Sequence, residues 1–501
     1  MAEPLVLDHL VTWAMTRPAA ALCTFPDEDD RAPISFAQAT DLVERLATVL
    51  SARGVTPGDR VVTQVPTSIE SVLLGLATQW AGGVHVPLNP ALGVDETALL
   101  VDDADPTVTI IGADALAAFC GAARGHVDAS SRADLGRPVR RGTADPAAII
   151  YTSGTTGRPK GAVVTHGNLA SNAHALARLW GFTADDVTVH ALPTYHAHGL
   201  FVAVNTALVA GSSLHFLGRF DVDRVVDALA GPGTVLMGVP TFYGRLLASA
   251  RFTRQVADGV RLFISGSAPL TDKVFGAFEA RTGQRILERY GMSETEMIAS
   301  NPLDGERVAG SVGFPLPGVE VRIRRGDDPS GDLAEVDEPG GIEVRGPNVF
   351  AGYWRIPERR ATDFTDDGWF RTGDLGTLDR DGRLRIVGRA KDLIISGGEN
   401  VYPAEIELIL DQLPGVHESA VVGMPDDDFG ELGLAVVVPD GTQPLDPAAL
   451  LTELRGRVAH FKVPRACVVT DALPRNSMGK VRKSALQQRY MAAWLVERDT
   501  R

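Results

Sequence analysis

Tyr151-Thr152-Ser153-Gly154-Thr155-Thr156-Gly157-Arg158-Pro159-Lys160-Gly161 follows a short apolar run at 147–150. Its glycines let backbone N–H groups turn inward where a Cβ would stand in the way, and Thr152, Ser153, Thr155 and Thr156 add hydroxyl donors ahead of a basic residue. The stretch reads as a phosphate cradle with Lys160 as its charge. The spacing Gly154-x-x-Gly157-x-x-Lys160 lacks the adjacent Gly-Lys-Ser/Thr of the Walker A loop, so the fold behind it need not be that of P-loop NTPases. The alternative is a flexible surface turn, which has no need of so many hydroxyls and glycines before a charge.

Outward from the loop, strand and helix patterns alternate. Ser35-Phe36-Ala37-Gln38 fits a capping box, and Leu42, Leu46, Val49 and Leu50 recur at helical spacing until Gly54. Strands are predicted at 60–65, 84–87 and 107–111, with helices at 68–81 and 95–103 between them. Beyond the loop come helices at 169–180 and 200–208 and strands at 187–192, 213–217, 235–239, 262–265 and 285–287. Alternation of this kind implies parallel pairing through crossover helices, and ligands of such sheets collect beyond the carboxyl ends of the strands. There lie Pro193-Thr194-Tyr195-His196-Ala197-His198, Gly266-Ser267-Ala268-Pro269 and Glu288-Arg289-Tyr290-Gly291-Met292-Ser293-Glu294-Thr295. After about residue 301 the texture turns to short β segments, with a hairpin turn at Asp379-Arg380-Asp381-Gly382. From Lys391 a separate strand and helix alternation begins, of a size that makes an independent small domain.

At 501 residues the chain exceeds what one hydrophobic core usually serves, so more than one domain is expected. The fold class is α/β. Residues 1–390 form a large domain of parallel-rich sheets with flanking helices plus a β-subdomain, and residues 391–501 a small mobile α+β domain. A net charge of −15 argues against non-specific attraction to nucleic acid or an anionic membrane, so any bound anion must be held locally. Cys23, Cys120 and Cys467 are too few and too scattered for a disulfide framework. No cluster with metal-ligand spacing is visible. The start Met1-Ala2-Glu3-Pro4 carries acid where a signal peptide carries base, and Asn205 and Thr206 interrupt the longest apolar stretch. A cytoplasmic enzyme is the expectation.

The chain resembles the adenylate-forming acyl-CoA synthetases, a superfamily that includes firefly luciferase and nonribosomal peptide adenylation domains. The opening loop, Tyr290-Gly291-Met292-Ser293-Glu294, Thr372-Gly373-Asp374, Gly388-Arg389-Ala390-Lys391-Asp392 and Pro474-Arg475-Asn476-Ser477-Met478-Gly479-Lys480 stand in that family's order and approximate spacing. The resemblance implies ATP, Mg2+ and coenzyme A as reactants. A carboxylate attacks the α-phosphate to give an acyl-adenylate and pyrophosphate, and a thiol then displaces AMP. Catalytic roles fall to Lys480, Glu294 and Thr155, with Lys480 bridging carboxylate and α-phosphate and Glu294 as the Mg2+ ligand. Nucleotide binding is carried over to Thr152, Ser153, Gly154, Thr155, Thr156, Gly157, Lys160, Gly266, Ser267, Ala268, Glu288, Arg289, Tyr290, Gly291, Met292, Ser293, Asp374, Arg389 and Lys480. Asp374 and Arg389 would grip the ribose hydroxyls, or else form a structural ion pair. Tyr290 would stack on adenine. Lys391 is the implied hinge between an adenylating pose and a second pose in which Ser396, Gly397, Gly398 and Glu399 line the CoA tunnel.

For the acid, Glu288-Arg289-Tyr290-Gly291-Met292, Ile264-Ser265-Gly266-Ser267-Ala268-Pro269-Leu270, Ser300-Asn301-Pro302 and the histidine loop are similar to malonyl-CoA synthetases. A guanidinium near the acyl site is costly to bury unless a carboxylate pairs with it, and a second carboxylate on the substrate meets that need. The expected acid is malonate, with methylmalonate as a variant. Arg289, His196 and His198 would surround the distal carboxylate, Ser267 or Thr194 would add donors, and Met237 would lie in the pocket wall. The alternative for Arg289 is a salt bridge to Glu288 or a surface acid, and for His196 an aromatic gate. Competing functions are a ligase for a fatty or aromatic monocarboxylate, and a non-catalytic nucleotide sensor or carrier-protein loading module. By the same resemblance, a lysine acetyltransferase acting on Lys480 would switch the enzyme off by removing its charge.

Overall fold

Helix Phe36–Ala52 begins where the capping pattern places it: Gln38 N–H donates to Ser35 Oγ (3.2 Å) and Ser35 N–H to Gln38 Oε1 (2.8 Å). Two donors left over at the helix start are thereby satisfied, and Val43, Leu46 and Leu50 turn one fully buried face to the core. The structure is a computed structural model that describes residues 4–26, 31–125, 136–152, 160–325, 332–397, 399–476 and 479–499. Among them the strands form four sheets.

The six-stranded sheet holds the first parallel unit, in which Arg60–Gln64 lies between Val84–Pro87 and Val108–Ile111. Helix Ile69–Trp80, capped by Ser68, crosses over from the first of these to the second. The quoted loop departs from a strand–loop–helix plan. Pro146–Thr152 and Lys160–Thr165 pair antiparallel down to Thr152 opposite Lys160, so the loop joins the two arms of a hairpin. Helix His166–Leu179 starts only after the second arm, on an N-cap at Thr165. Residues 153–159 lie outside the described residues.

The nine-stranded sheet has the predicted parallel centre, Val187–His190, Ser213–Phe216, Val235–Gly238 and Leu262–Ser265. Two elements differ from expectation. The segment 200–208 is a π-helix, His198–Ala203, running into an α-helix, Val204–Ala210; its residues are apolar on nearly every side, so hydrophobic spacing carried no register. The strand at 285–287 is in fact Leu287–Met292, so that Glu288, Arg289, Tyr290, Gly291 and Met292, expected in a loop beyond it, are strand as well. It pairs in parallel through Ile264 opposite Leu287 and Ser265 opposite Glu288, outruns its neighbour, and continues as a hairpin with Glu296–Ser300. The backbones approach so closely there that a side chain at Gly291 would strike the Glu296 carbonyl.

Glu320–Arg325, Gly340–Arg345, Phe370–Leu378 and Leu384–Arg389 make an antiparallel sheet. Its last turn is the predicted one, with Gly382 at φ +82° and Asp379 N–H bonded to Arg383 O at 3.1 Å. The fourth sheet collects Ile394–Ser396, Glu399–Val401, Val416–Asp426, Gly430–Pro439 and Ala466–Val469. Alternate residues of its central strands face two cores, Val421 and Val437 toward helix Pro403–Leu410, Val422 and Val436 toward helix Lys483–Asp499. Among the described residues no helix is long and apolar enough to cross a membrane.

Candidate active site

The strand that outruns the parallel sheet carries the site's most unusual residue. Arg289 lies one position past the last parallel pair, is 3% exposed, and has Nε and Nη2 without a hydrogen-bond partner. Its guanidinium occupies the space that a side chain at Gly266 would fill. Glu288 does not pair with it: Glu288 Oε1 accepts from Leu270 N–H at 3.2 Å and Oε2 has no partner. Burial pushes the Glu288 and Glu296 carboxyls up to about 8, against the opposing charge of Arg289, and Glu296 Oε1 is likewise unpartnered. Burial also draws Arg289 down, to about 10, and it remains charged at neutral pH. The buried guanidinium thus has two buried carboxyls near it but no hydrogen-bond partner on Nε or Nη2.

Around it the π-helix brings His198, whose Nδ1 lies 3.2 Å from Ser267 Oγ and whose buried Nε2 has no partner. Ser267 holds a left-handed backbone, φ +71°, rare for a residue with a side chain. Burial, followed by the Arg289 charge, keeps His198 neutral, and burial lowers His196 to about 4. The His196 ring centroid lies 4.7 Å from that of Tyr195. The Thr194 hydroxyl lies 2.8 Å from Ser71 Oγ and its N–H donates to Thr67 Oγ1 (3.3 Å), contacts that fix the loop. Met237 sits in the core opposite Ile264. A cavity of about 240 Å³ adjoins the histidine loop, walled by Pro193, Tyr195, Phe220, Val239 and Phe242 with Arg219 on its lining. The sequence reading missed Phe220 and Arg219, which no motif marks.

The second half of the site is a connected polar group. Tyr290 Oη donates to Asp374 Oδ2 (2.5 Å), Arg389 Nε donates to Asp374 Oδ1 (2.7 Å), and Asp374 N–H donates to Thr372 Oγ1 (3.0 Å). Asp374 and Arg389 face each other across the antiparallel ladder, so the ion pair set out as an alternative is present. Glu294 is in the turn of the Leu287–Met292 hairpin, where Tyr353 Oη donates to its Oε1 at 2.9 Å. Tyr353 comes from Gly352–Tyr353, which pairs with the second arm of the loop hairpin, and Lys160 Nζ lies 5.3 Å from the centre of its ring. Sequence reading missed Tyr353 too: it is remote from Glu294 along the chain and belongs to no motif. Burial raises the Glu294 carboxyl. Thr152 ends the first arm, its hydroxyl 3.4 Å from Lys160 O. Ser153, Gly154, Thr155, Thr156 and Gly157 fall outside the described residues. Among the described residues no three His, Cys, Asp or Glu side chains gather as a metal cluster, and the Asp374 charge acts on Glu294.

Lys480 reaches this group from the far end of the chain. Asn476 bonds it from both sides, Oδ1 accepting from Lys480 N–H and the Asn476 N–H donating to Lys480 O, each at 2.9 Å. The preceding Gly479 is so close to Thr241 of the large domain that an added Cβ would lie 3.1 Å from the Thr241 side chain. Burial, then the charge of Arg389, lowers the Lys480 ammonium to about 8, against the opposing pull of Asp374 and Asp392. Lys391 is exposed in the short 3-10 turn Ala390–Asp392 that follows Arg389. Ser396, Gly397 and Glu399 belong to a hairpin of the fourth sheet, with Ser396 opposite Gly430 and Gly397 N–H bonded to Phe429 O at 2.8 Å; Gly398 is outside the described residues.

Residues 10–354 match the AMP-binding enzyme family, and residues 405–480 its C-terminal domain. The chain belongs to the AMP-binding enzyme family. Among its relatives, a malonate–CoA ligase of Arabidopsis thaliana is 36% identical over 87% of this chain and 78% of the plant protein. A feruloyl-CoA synthase of an Amycolatopsis species is also 36% identical, over 91% of this chain and 94% of its own. ATP-bound MatB of Rhodopseudomonas palustris superposes with a TM-score of 0.91 at 45% identity, covering 98% of this chain and all of that one. Apo MatB, over the same share of both chains, gives 0.81. The fold is that of these AMP-binding enzymes, and the chain is an AMP-forming acid–CoA ligase.

Proposed function

We propose that this AMP-binding enzyme joins malonate to coenzyme A through a malonyl-adenylate, consuming ATP with Mg2+ and releasing pyrophosphate and then AMP. The observation that carries the choice of acid is the buried, unpartnered Arg289 guanidinium beside an unpartnered His198 Nε2. An ion stripped of water and left without a partner costs several kcal/mol, roughly 3–5, and a second carboxylate on the substrate removes that cost. A monocarboxylate leaves it in place. Similarity to a plant malonate–CoA ligase supports this reading, and equal identity to a feruloyl-CoA synthase keeps an aromatic acid as the second reading.

In this reading the reacting carboxylate and the α-phosphate meet near Lys480, whose charge offsets the negative charge that gathers as they join. Asp374 and Arg389 take the ribose, and Tyr290, held by its bond to Asp374, presents its ring to adenine. The buried Glu294 carboxylate would hold a hard cation, which when bound would supply charge neutralisation at the phosphates. Residues 152–157 and Lys160 hold the outer phosphates. The similarity to ATP-bound MatB supports an adenylating pose, as does Lys480 beside Asp374. Lys391 is the pivot to the thioester step, with Ser396, Gly397, Gly398 and Glu399 toward the CoA chain.

The test is a panel of acids with CoA as acceptor, read by pyrophosphate release. Malonate should give the highest kcat/KM; a ferulate, benzoate or butyrate ahead of it rejects the choice of acid.

A further inference from the structure

One contact between the two domains involves neither the acid pocket nor the nucleotide group. Helix Asp272–Thr282 of the large domain starts just after Leu270, the residue whose N–H bonds Glu288. From its second position Lys273 Nζ donates to Val416 O of the small domain at 2.8 Å. Val416 opens the strand Val416–Asp426, and on that strand Glu418 is ion-paired with Arg475. Arg475 in turn donates through Nη1 to Gly479 O (2.5 Å), the carbonyl directly before Lys480. A continuous path of strand backbone and polar contacts thus leads from a large-domain helix to the lysine that must meet the phosphates. The Lys273 ammonium also faces Asp411 and Asp440, two acids flanking the start of the strand; each feels its charge, behind burial for Asp411 and behind the Thr442 hydrogen bond for Asp440.

We propose that Lys273 is a positioning residue for adenylation, its bond to the Val416 carbonyl favouring the pose in which Lys480 stands beside Asp374 and Arg389. The inference rests on the reading that the small domain pivots near Lys391. A contact present in one pose and absent from the other shifts the balance by its own free energy, however little it adds to folding. Lys273 is exposed apart from this contact, so replacing it opens no cavity in the core. Its acceptor is a main-chain carbonyl, which makes the lysine the only side chain in the bond and lets arginine substitute for it.

The experiment separates the two half-reactions in the full-length enzyme, using whichever acid the panel ranks first, so that a failure of malonate selectivity leaves it standing. Single-turnover pyrophosphate release without CoA reads adenylation; thioester formation from purified acyl-adenylate and CoA reads the second half. Lys273→Met should slow the first about fivefold, the size expected of one typical hydrogen bond in contact with solvent, while leaving the second unchanged or faster. Lys273→Arg should restore adenylation to within about twofold. Equal losses in both halves, no loss in adenylation, or an arginine variant as slow as the methionine one would each overturn the proposal.

Discussion

The two halves of the site treat their polar groups in opposite ways. On the side proposed for the nucleotide, Tyr290, Asp374, Arg389 and Thr372 bond to one another, and Tyr353 bonds Glu294. On the side proposed for the acid, Arg289, His198, Glu288 and Glu296 are all buried and each keeps an atom with no partner. A connected group holds its geometry without ligand and suits a co-substrate that is the same in every turnover. An unsatisfied group is unfavourable until the right ligand arrives, and discrimination comes from that penalty, since an analogue lacking the matching charge leaves it standing.

Breaking the charge that serves both halves should cost most: Lys480→Ala is expected to lower the single-turnover rate of pyrophosphate release by about a thousandfold with the fold retained by circular dichroism, the scale of losing one preorganised donor to a developing anion. Next comes the acid side. Arg289→Met should cut kcat/KM for malonate about a hundredfold and leave a short monocarboxylate within a fewfold of its former value, so that relative specificity inverts. On the nucleotide side the loss should be milder and general: Asp374→Asn raises KM for ATP roughly tenfold with every acid, because one charged hydrogen-bond acceptor becomes neutral while the surrounding bonds persist. The smallest effect is in pH. The Lys480 ammonium is charged below about 8, so kcat/KM for ATP, which reports the free enzyme, should fall roughly fourfold between about pH 7 and 8.5. With malonate as the varied substrate the fall should be steeper, since Glu288 and Glu296 ionise over the same range and then compete with the substrate for Arg289. Profiles of equal slope for ATP and malonate would contradict the division between the halves.

Much of the scaffold was legible because it is written locally. The capping box at Ser35, the crossover rhythm of 60–111 and the Asp379 turn each depend on residues a few positions apart. What escaped depends on remote partners. Leu287–Met292 stays extended because Glu296–Ser300 takes over where Leu262–Ser265 ends, a change of neighbour that propensity does not register. Tyr353 supports Glu294 through a two-residue strand with no pattern of its own. The candidate site residues stand out in the sequence as residue types: Arg289 next to Tyr290, and Lys480 in its loop. Their physical peculiarity does not. That Arg289 is buried with unpartnered nitrogens, packed against a glycine and not hydrogen-bonded to Glu288, follows from the register of one strand and from neighbours far away in the chain.

The hairpin at the quoted loop has an electrostatic consequence. Because the chain leaves the loop as a strand, the N-terminus of helix His166–Leu179 lies a full strand length away, roughly 20 Å at the usual rise per residue. A Walker-type loop aims a helix dipole, equivalent to about half a unit of positive charge, directly at its phosphates. Phosphates bound here in the proposed way lack the dipole of helix His166–Leu179 directly behind them, and more of their attraction comes from side-chain cations such as Lys160. Ionic strength screens charges of that kind far more readily than a dipole seated at the phosphate itself. Nucleotide affinity in this fold should therefore weaken with added salt more steeply than in a P-loop enzyme of equal affinity.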